Sequence, residues 1–314
     1  MGELNYGGQA VMEGVMMRGH TAMAVAVRAP DGRIVVHSEP LNKTIYQSWI
    51  ARVPFLRGIT LLWDTMVLGM RTLMFSADIA VQDQGVSLSS TSDAGQSVFS
   101  TPLAWGSIVL SLSIAVGLFF VLPAMLARFV DRYLVSSLAS NLVEGTIRLT
   151  FVLGYVWAVG FLPDIRRVFA YHGAEHKTVH AYEHGKPLTV DAVRTYTTSH
   201  ERCGTSFILI VVLISVLVFS LLGRPPLLLR LASRILLLPV IVGIAYEWLK
   251  LGARYSERWW MRALLAPGLV MQRLTTREPD DQMLEVAIAA LERVLDEDGR
   301  LVTADAASSA VSAS

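Results

Sequence analysis

Long apolar runs without a charged side chain dominate the pattern of this sequence. Residues 103–126, 149–162 and 205–223 contain no Asp, Glu, Lys or Arg. The first and third are long enough to cross a bilayer as helices, which takes about 20 residues. The second reaches that length if its helix extends backwards and the side chain of Arg148 snorkels to the membrane surface. The pattern predicts a mainly α, polytopic helical membrane protein.

A fourth apolar run, residues 227–249, is interrupted by charge. Arg230 and Arg234 lie near its start and Glu247 lies near its end. We predict that it also spans the membrane, with a re-entrant segment as the alternative. Lysine and arginine are more frequent between runs two and three and after run four than on the opposite side. This bias favours a multi-pass protein of the inner (cytoplasmic) membrane with both termini in the cytoplasm.

Ahead of the first apolar run, the pattern changes to that of a small β-containing region. Residues 22–28 and 33–37 are rich in β-prone side chains and flank the pair Asp31-Gly32. An Asp-Gly pair between two such runs is a strong signal for a β-hairpin turn. The sequence therefore predicts a hairpin in this region.

Residues 53–77 follow with a helical pattern and a narrow polar stripe. Arg57, Asp64 and Arg71 recur every seven residues on an otherwise apolar cylinder. At 3.6 residues per turn they share one face. We expect this stripe to face the histidine-rich segment described below or the lipid head groups, rather than lipid tails.

These patterns divide the chain into five parts. They are an N-terminal hairpin and amphipathic helix (1–81), a flexible linker (82–101), a four-helix membrane domain (102–252) with a histidine-rich cytoplasmic loop (163–204), a C-terminal amphipathic helical region (253–304), and a disordered tail (305–314).

Composition narrows the classes of partner. Of the 314 residues 53% are hydrophobic and only 17% are charged, and the net charge is +1. A balance this close to neutral argues against nucleic acid as a partner and leaves the lipid bilayer, together with an unknown substrate or protein partner. Cys203 is the single cysteine, which excludes an intrachain disulfide and agrees with a reducing compartment.

Four of the seven histidines lie in one short segment, residues 170–185. On a helix His172 and His176 share a face, because they are four residues apart, and Glu175 lies between them. The spacing His-x-x-Glu-His resembles the inverted zincin signature. Two imidazoles one turn apart can bind one divalent metal, with zinc as the first choice. A carboxylate beside them, held off the metal, can act as a general base.

A catalytic zinc site needs a third protein ligand. The best source is the segment 199–207, which contains His200 and Cys203 just before the third apolar run. Either residue completes the set if the segment folds back on the histidine helix, and His180 and Glu201 are rivals. The structural alternative is a polar helix face near lipid head groups, with Cys203 as a small buried apolar residue.

Five blocks of sequence resemble the YqhQ family, bacterial integral membrane proteins described as predicted metal-dependent enzymes. The blocks are GGQAVMEGVMMRG at 7–19, YHGAEHK at 171–177, RCGTSF at 202–207, AYE at 245–247 and QRLTTREPDD at 272–281. The resemblance implies roles for nine residues: Glu13, Arg18, His172, Glu175, His176, Glu183, His200, Cys203 and Glu247. His180 and His184 lie outside the family's pattern, and Glu201 stands where the family usually has proline.

Two functions from different classes follow. The first is a membrane-embedded metal-dependent hydrolase with a His-x-x-Glu-His site at the cytoplasmic face, in which Glu175 is catalytic and the substrate is unknown. Glu13, Arg18, Glu183 and Glu247 would support that site. The second is a non-catalytic scaffold or assembly factor whose His/Glu/Cys cluster is structural. A transporter is a weaker third, because the uncharged runs offer no ionisable path through the membrane.

Overall fold

The structure is a computed structural model. It describes residues 6–41, 53–82, 102–134, 136–200, 203–223, 225–255 and 258–300. The predicted tail and all of the predicted linker except its first residue lie outside this part of the chain.

The N-terminal region is a four-stranded antiparallel sheet. Its strands run in the order β1 (Gly7–Val11), β2 (Gly14–Arg18), β3 (Ala22–Arg28) and β4 (Ile34–Pro40). The predicted hairpin is β3–β4, and Gly32 takes a positive φ of 87° in its turn, which glycine adopts without strain. The glycine-containing block before it, residues 7–19, forms a second hairpin, β1–β2.

The sheet is covered on both faces, which is why its central strands lack alternating polar residues. Eleven helical segments complete the described fold: α1 (Leu56–Gln82), α2 (Pro102–Val116), α3 (Leu122–Asp131), α4 (Ser137–Val159), α5 (Pro163–Glu183), α6 (Val190–Arg194), α7 (Gly204–Leu221), α8 (Leu227–Leu236), α9 (Leu238–Arg254), α10 (Trp259–Thr275) and α11 (Asp281–Glu297). Met17 and Ala24 pack with α5 and α11 in one apolar core, whereas Met16 and Val25 pack against α1 in another. The side-chain period of two divides the strands between these cores.

Three helices are long and apolar enough to cross a membrane. They cover Val109–Asp131, Ser137–Val159 and Gly204–Leu221. The first joins α2 and α3 through a π-helical turn at Gly117–Val121 and ends at Asp131, later than the run 103–126 suggested. The predicted fold class, a polytopic helical membrane protein with a small N-terminal β region, is confirmed.

The fourth apolar run is two helices rather than one. α8 and α9 meet at an angle of 44°, which makes the pair either a broken span or a re-entrant loop. Pro239 lies in the first turn of α9. A proline there has no N–H to continue the hydrogen bonds of α8, so the chain bends before it.

The prediction that Arg148 snorkels is wrong. α4 begins at Ser137 and contains both Glu144 and Arg148, which are buried and joined by a 2.8 Å ion pair. Arg230 and Arg234 of α8 are also buried, and both bond to Glu144. The second span therefore contains ionisable residues. Their presence removes the reason given above against a transporter, which was the lack of such residues in the apolar runs.

Two of the three residues in the polar stripe of α1 face protein. Arg57 forms an ion pair with Glu247 of α9, and Asp64 is buried. Arg71 lies 3.8 Å from Glu39 of β4, but its side chain is 66% exposed. The ion-pair partners of the two arginines thus lie on α9 and the sheet rather than on the histidine helix.

Candidate metal centre

Local sequence signals define the histidine helix, α5. Pro163 occupies its first turn, where the missing N–H costs nothing, and Asp164 favours the positive end of the helix dipole. The helix ends at Glu183, and Gly185 follows with a positive φ of 63°. His172 and His176 therefore lie one turn apart on the same helix, with their ring centroids separated by 4.4 Å.

Backbone carbonyls orient both imidazoles. Nδ1 of His172 lies 2.9 Å from the carbonyl oxygen of Thr275, and Nδ1 of His176 lies 2.6 Å from that of Thr198. A carbonyl oxygen only accepts hydrogen bonds, so each Nδ1 carries the proton. Each Nε2 then has a free lone pair, which is the tautomer that metal-binding histidines adopt when a second group fixes the ring.

Cys203 lies close to the imidazoles of His172 and His176. Its Sγ lies 3.3 Å from Nε2 of His172, and the ligand atoms of His172, His176 and Cys203 all lie within 4.8 Å of one another. Cys203 is also the N-cap of α7, where its Sγ accepts a hydrogen bond from the N–H of Thr205 at 3.5 Å. Metal binding uses the thiolate form of a cysteine side chain.

Glu175 lies beside the three ligand atoms but outside their group. Its Oε1 accepts a 2.7 Å hydrogen bond from the backbone N–H of Gly8 in β1, and its Oε2 lies 3.5 Å from Nε2 of His176. A side chain on Gly8 would collide with the carbonyl oxygen of Met16. Glycine at this position thus lets β1 hold the carboxylate next to the histidine nitrogen.

His200 lies outside the group of three. Its Nε2 is 3.1 Å from Oε2 of Glu183, and its ring centroid is 5.7 Å from that of His176. Gln272 of α10 fixes its backbone, donating to its carbonyl and accepting from its N–H. Of the two ligands predicted as alternatives, the structure brings Cys203 to the histidines, and Glu183 contacts His200.

The remaining histidines of α5 point to neighbouring backbone. Nε2 of His180 lies 3.0 Å from the carbonyl of Ser199, and His184 is exposed. Burial, together with the nearby His200, lowers the pKa of His180 to about 4. His180 is therefore neutral at physiological pH.

Glu13 links the sheet to the histidine helix, α5, by hydrogen bonds. It lies in the β1–β2 turn with a positive φ of 51°, and its carboxylate accepts two 2.5 Å hydrogen bonds from the Arg167 guanidinium. Tyr171, the neighbour of His172, donates to the same carboxylate at 3.3 Å. Burial and the charge of Glu13 raise the pKa of the Tyr171 hydroxyl. Glu13 thus contacts α5 directly ahead of the first metal-ligand candidate.

The other two supporting candidates bind α1. Glu247 pairs with Arg57, and Nη1 of Arg18 lies 3.4 Å from Oγ1 of Thr65. They join the sheet and α9 to α1, and neither belongs to the group of three ligand atoms.

The sequence prediction assigned Gly8 no contact with Glu175, and it did not single out Gln272 or the carbonyls of Thr198 and Thr275. Gly8 and Gln272 fall within two of the blocks quoted above, which was the available signal. The two carbonyls had no signal, because every residue has one.

Comparisons with known proteins agree on one family. Residues 53–297 match the family model described as "Protein of unknown function (DUF1385)". The chain is 34% identical over 294 residues to "Uncharacterized protein YqhQ" of Bacillus subtilis (strain 168), covering 92% of each chain. No solved structure matches. The chain therefore belongs to the DUF1385 family, as the YqhQ-like blocks predicted.

Proposed function

We propose that this protein is a membrane-embedded, metal-dependent hydrolase in which His172, His176 and Cys203 bind one divalent metal ion, zinc in the first instance. The observation that supports this most strongly is the convergence of one ligand atom each from His172, His176 and Cys203 within 4.8 Å of one another. Tetrahedral zinc with bond lengths of about 2.0–2.3 Å separates its ligand atoms by roughly 3.3–3.6 Å. The 3.3 Å between Sγ and Nε2 of His172 meets that requirement.

The donor set fits zinc. Two imidazoles and one thiolate are the set that zinc uses in one class of catalytic sites, with a fourth position left open. The carbonyls of Thr198 and Thr275 supply the outer contacts that hold zinc-binding histidines in orientation. Zinc bound there would supply a Lewis acid and an acidified water for attack on an amide, ester or phosphoryl centre.

Glu175 is the proposed catalytic base. Its Oε2 faces the ligand nitrogen of His176, while the N–H of Gly8 occupies its Oε1. One oxygen is thus anchored and the other is free to accept a proton within the site. Burial of Glu175 limits competition from bulk water.

The alternative is a scaffold in which these contacts only fasten segments together. It is favoured by the number of partners that bond to α5 outside the metal group. Buried Lys177 donates to the carbonyl of Arg194 at 2.9 Å and pairs with Glu278, and Thr198 and Ser199 bond to His176 and His180. These bonds cross-link α5 to α6, to residues 198–199 and to the segment just before α11 without any metal.

Metal analysis of the detergent-purified protein separates the two functions. We expect one zinc per chain in the wild type and in His184→Ala, which alters an exposed histidine of the same helix. We expect His176→Ala and Cys203→Ser to lose the metal. Glu175→Gln should keep the metal and lose hydrolysis of a panel of amide, ester and phosphoryl substrates. Wild-type protein that neither contains nor binds a divalent metal would refute the enzyme and leave the scaffold.

A further inference from the structure

The end of the helical domain opposite the metal centre contains a second group of charges. α7 starts beside Cys203 and ends near Phe219, whose ring lies 3.8 Å from the guanidinium of Arg234. Sixteen residues of helix at 1.5 Å each separate these two positions by about 24 Å. Asp131, at the end of α3, bonds to Arg230 at 2.9 Å in this same region.

A groove of about 290 Å³ lies on the surface of α3 at this end. Met125, Arg128, Phe129 and Arg132 line it. Met125 and Phe129 are four residues apart, as are Arg128 and Arg132, so each pair forms its own row along the helix. The groove therefore has an apolar row next to a cationic row, and all four side chains are exposed.

No carboxylate among the described residues neutralises the charge of this groove. Asp131, the acidic residue on α3, is turned to the interior, where it bonds to Arg230 and Ser140. Within the described ranges neither Arg128 nor Arg132 has a carboxylate at ion-pair distance. Arg132 lies over the ring of Tyr133, with 4.7 Å between its guanidinium carbon and the ring centroid. Two adjacent cations of the groove can therefore bind an anionic ligand.

The groove lies at the end of the first candidate span. By length and composition this span ends at Asp131, so Arg128 is one turn inside that end and Arg132 follows it, which would place both near lipid phosphates. Tyr133, 71% exposed, is of the type that marks a membrane–water boundary. Basic pockets at this level bind anionic head groups, while the neighbouring apolar row continues into the hydrocarbon.

We propose that this groove binds one anionic phospholipid. Its phosphate lies between Arg128 and Arg132, and an acyl chain packs on Met125 and Phe129. The apolar row selects a lipid over free phosphate, because free phosphate has nothing to bury there. This site is independent of the metal centre.

Native mass spectrometry of the detergent-purified protein tests this site. Phosphatidylglycerol is titrated in parallel with phosphatidylcholine of the same acyl chains, and with inorganic phosphate alone. We expect one phosphatidylglycerol per chain to bind preferentially. Removing two interfacial charges with Arg128→Gln/Arg132→Gln should weaken that binding about 30-fold, at roughly 1 kcal/mol for each charge.

Two control variants make the result specific. Arg33→Gln removes one charge from the exposed β3–β4 turn and should leave lipid binding unchanged. Arg128→Lys/Arg132→Lys keeps both charges and should retain most of the binding. Equal binding of phosphatidylcholine, unchanged binding in the double glutamine variant, an equal loss in Arg33→Gln, or equal occupancy by inorganic phosphate would each overturn the proposal.

Discussion

Gly8 and Glu175 are joined by a 2.7 Å hydrogen bond that links β1 to the histidine helix across 167 residues of sequence. The bond determines which oxygen of the catalytic candidate stays free. It also makes the small sheet part of the candidate site, although the metal-ligand candidates all lie outside that sheet.

Gly8→Ala should displace Glu175 without removing the metal, and so tests the role of the Gly8–Glu175 bond. The added methyl group would collide with the carbonyl of Met16, so β1 must shift and the bond to Glu175 must lengthen or break. We expect the variant to keep its metal and to hydrolyse substrate at least tenfold more slowly. Its free energy of unfolding should fall by about 1–3 kcal/mol. Gly7→Ala, where a methyl group meets nothing, is the matched control. Full activity in Gly8→Ala would show that the bond does not position the base.

Part of this site was predictable because it depends on helical spacing. Four residues place His172 and His176 on one face of any helix, and Glu175 between them is then next to the same face. The tautomers were not predictable, because carbonyls from Thr198 and Thr275 set them. The choice of Cys203 over His200 depends on where these two residues lie relative to α5, which the sequence did not define.

The fold shows the same division. Apolar length predicted the spans and Asp31-Gly32 predicted β3–β4. β2 lacks the alternation that signals a strand, because it is covered on both faces, so the pattern of polar residues did not define it. The burial of Arg148 was not predicted, because it depends on a distant contact. Its partner Glu144 shares a buried site with Arg234, which lies 90 residues after Glu144 in the chain.

Glu144→Gln should destabilise the membrane domain strongly. Glu144 is 2% exposed and bonds to Arg148, Arg230 and Arg234, so its loss leaves three buried arginines with too little negative charge. Breaking a buried ion pair in this way costs about 3–5 kcal/mol. Thermal unfolding in detergent measures the loss.

Glu285→Gln is the control for that measurement. It breaks an ion pair with Arg28 in which the Glu285 side chain is 50% exposed, and such pairs contribute under about 1 kcal/mol. Equal effects of the two substitutions would show that the buried cluster does not stabilise the fold.

Asp298 should make the N-terminal region sensitive to acid. It accepts hydrogen bonds from the N–H groups of His20 and Thr21 and from the hydroxyl of Tyr6. Burial opposes ionisation, but these bonds outweigh it and hold the pKa of Asp298 below its ordinary value. The folded state thus binds fewer protons than the unfolded state, so this stability is present above about pH 4 and is lost as the pH falls through the lowered pKa.

Asp298→Asn tests that contact. We expect it to lower the unfolding free energy at pH 7 by about 1–2 kcal/mol and to flatten its decline below pH 4. Asp296→Asn, which changes an exposed carboxylate of the same helix, should do neither. If the unfolding free energy of Asp298→Asn declines below pH 4 as in the wild type, this carboxylate does not cause the sensitivity to acid.

The cytoplasmic position of both termini is a further prediction, based on the lysine and arginine bias. A reporter fused after Ser314 that is active only in the cytoplasm should give signal, and its counterpart that is active only outside should give none. The opposite pattern would place the metal centre on the outer face. A fusion after Gly223 should report the outer side and serves as the internal reference.

Zinc-edge X-ray absorption on the purified protein identifies the atoms bound to the metal ion. We predict one sulfur at about 2.3 Å and two imidazole nitrogens at about 2.0–2.1 Å from the zinc. The sulfur contribution should be absent from any zinc that Cys203→Ser retains. Protein that binds no zinc, or a wild-type spectrum without a sulfur neighbour, would contradict the assignment of His172, His176 and Cys203 to one metal ion.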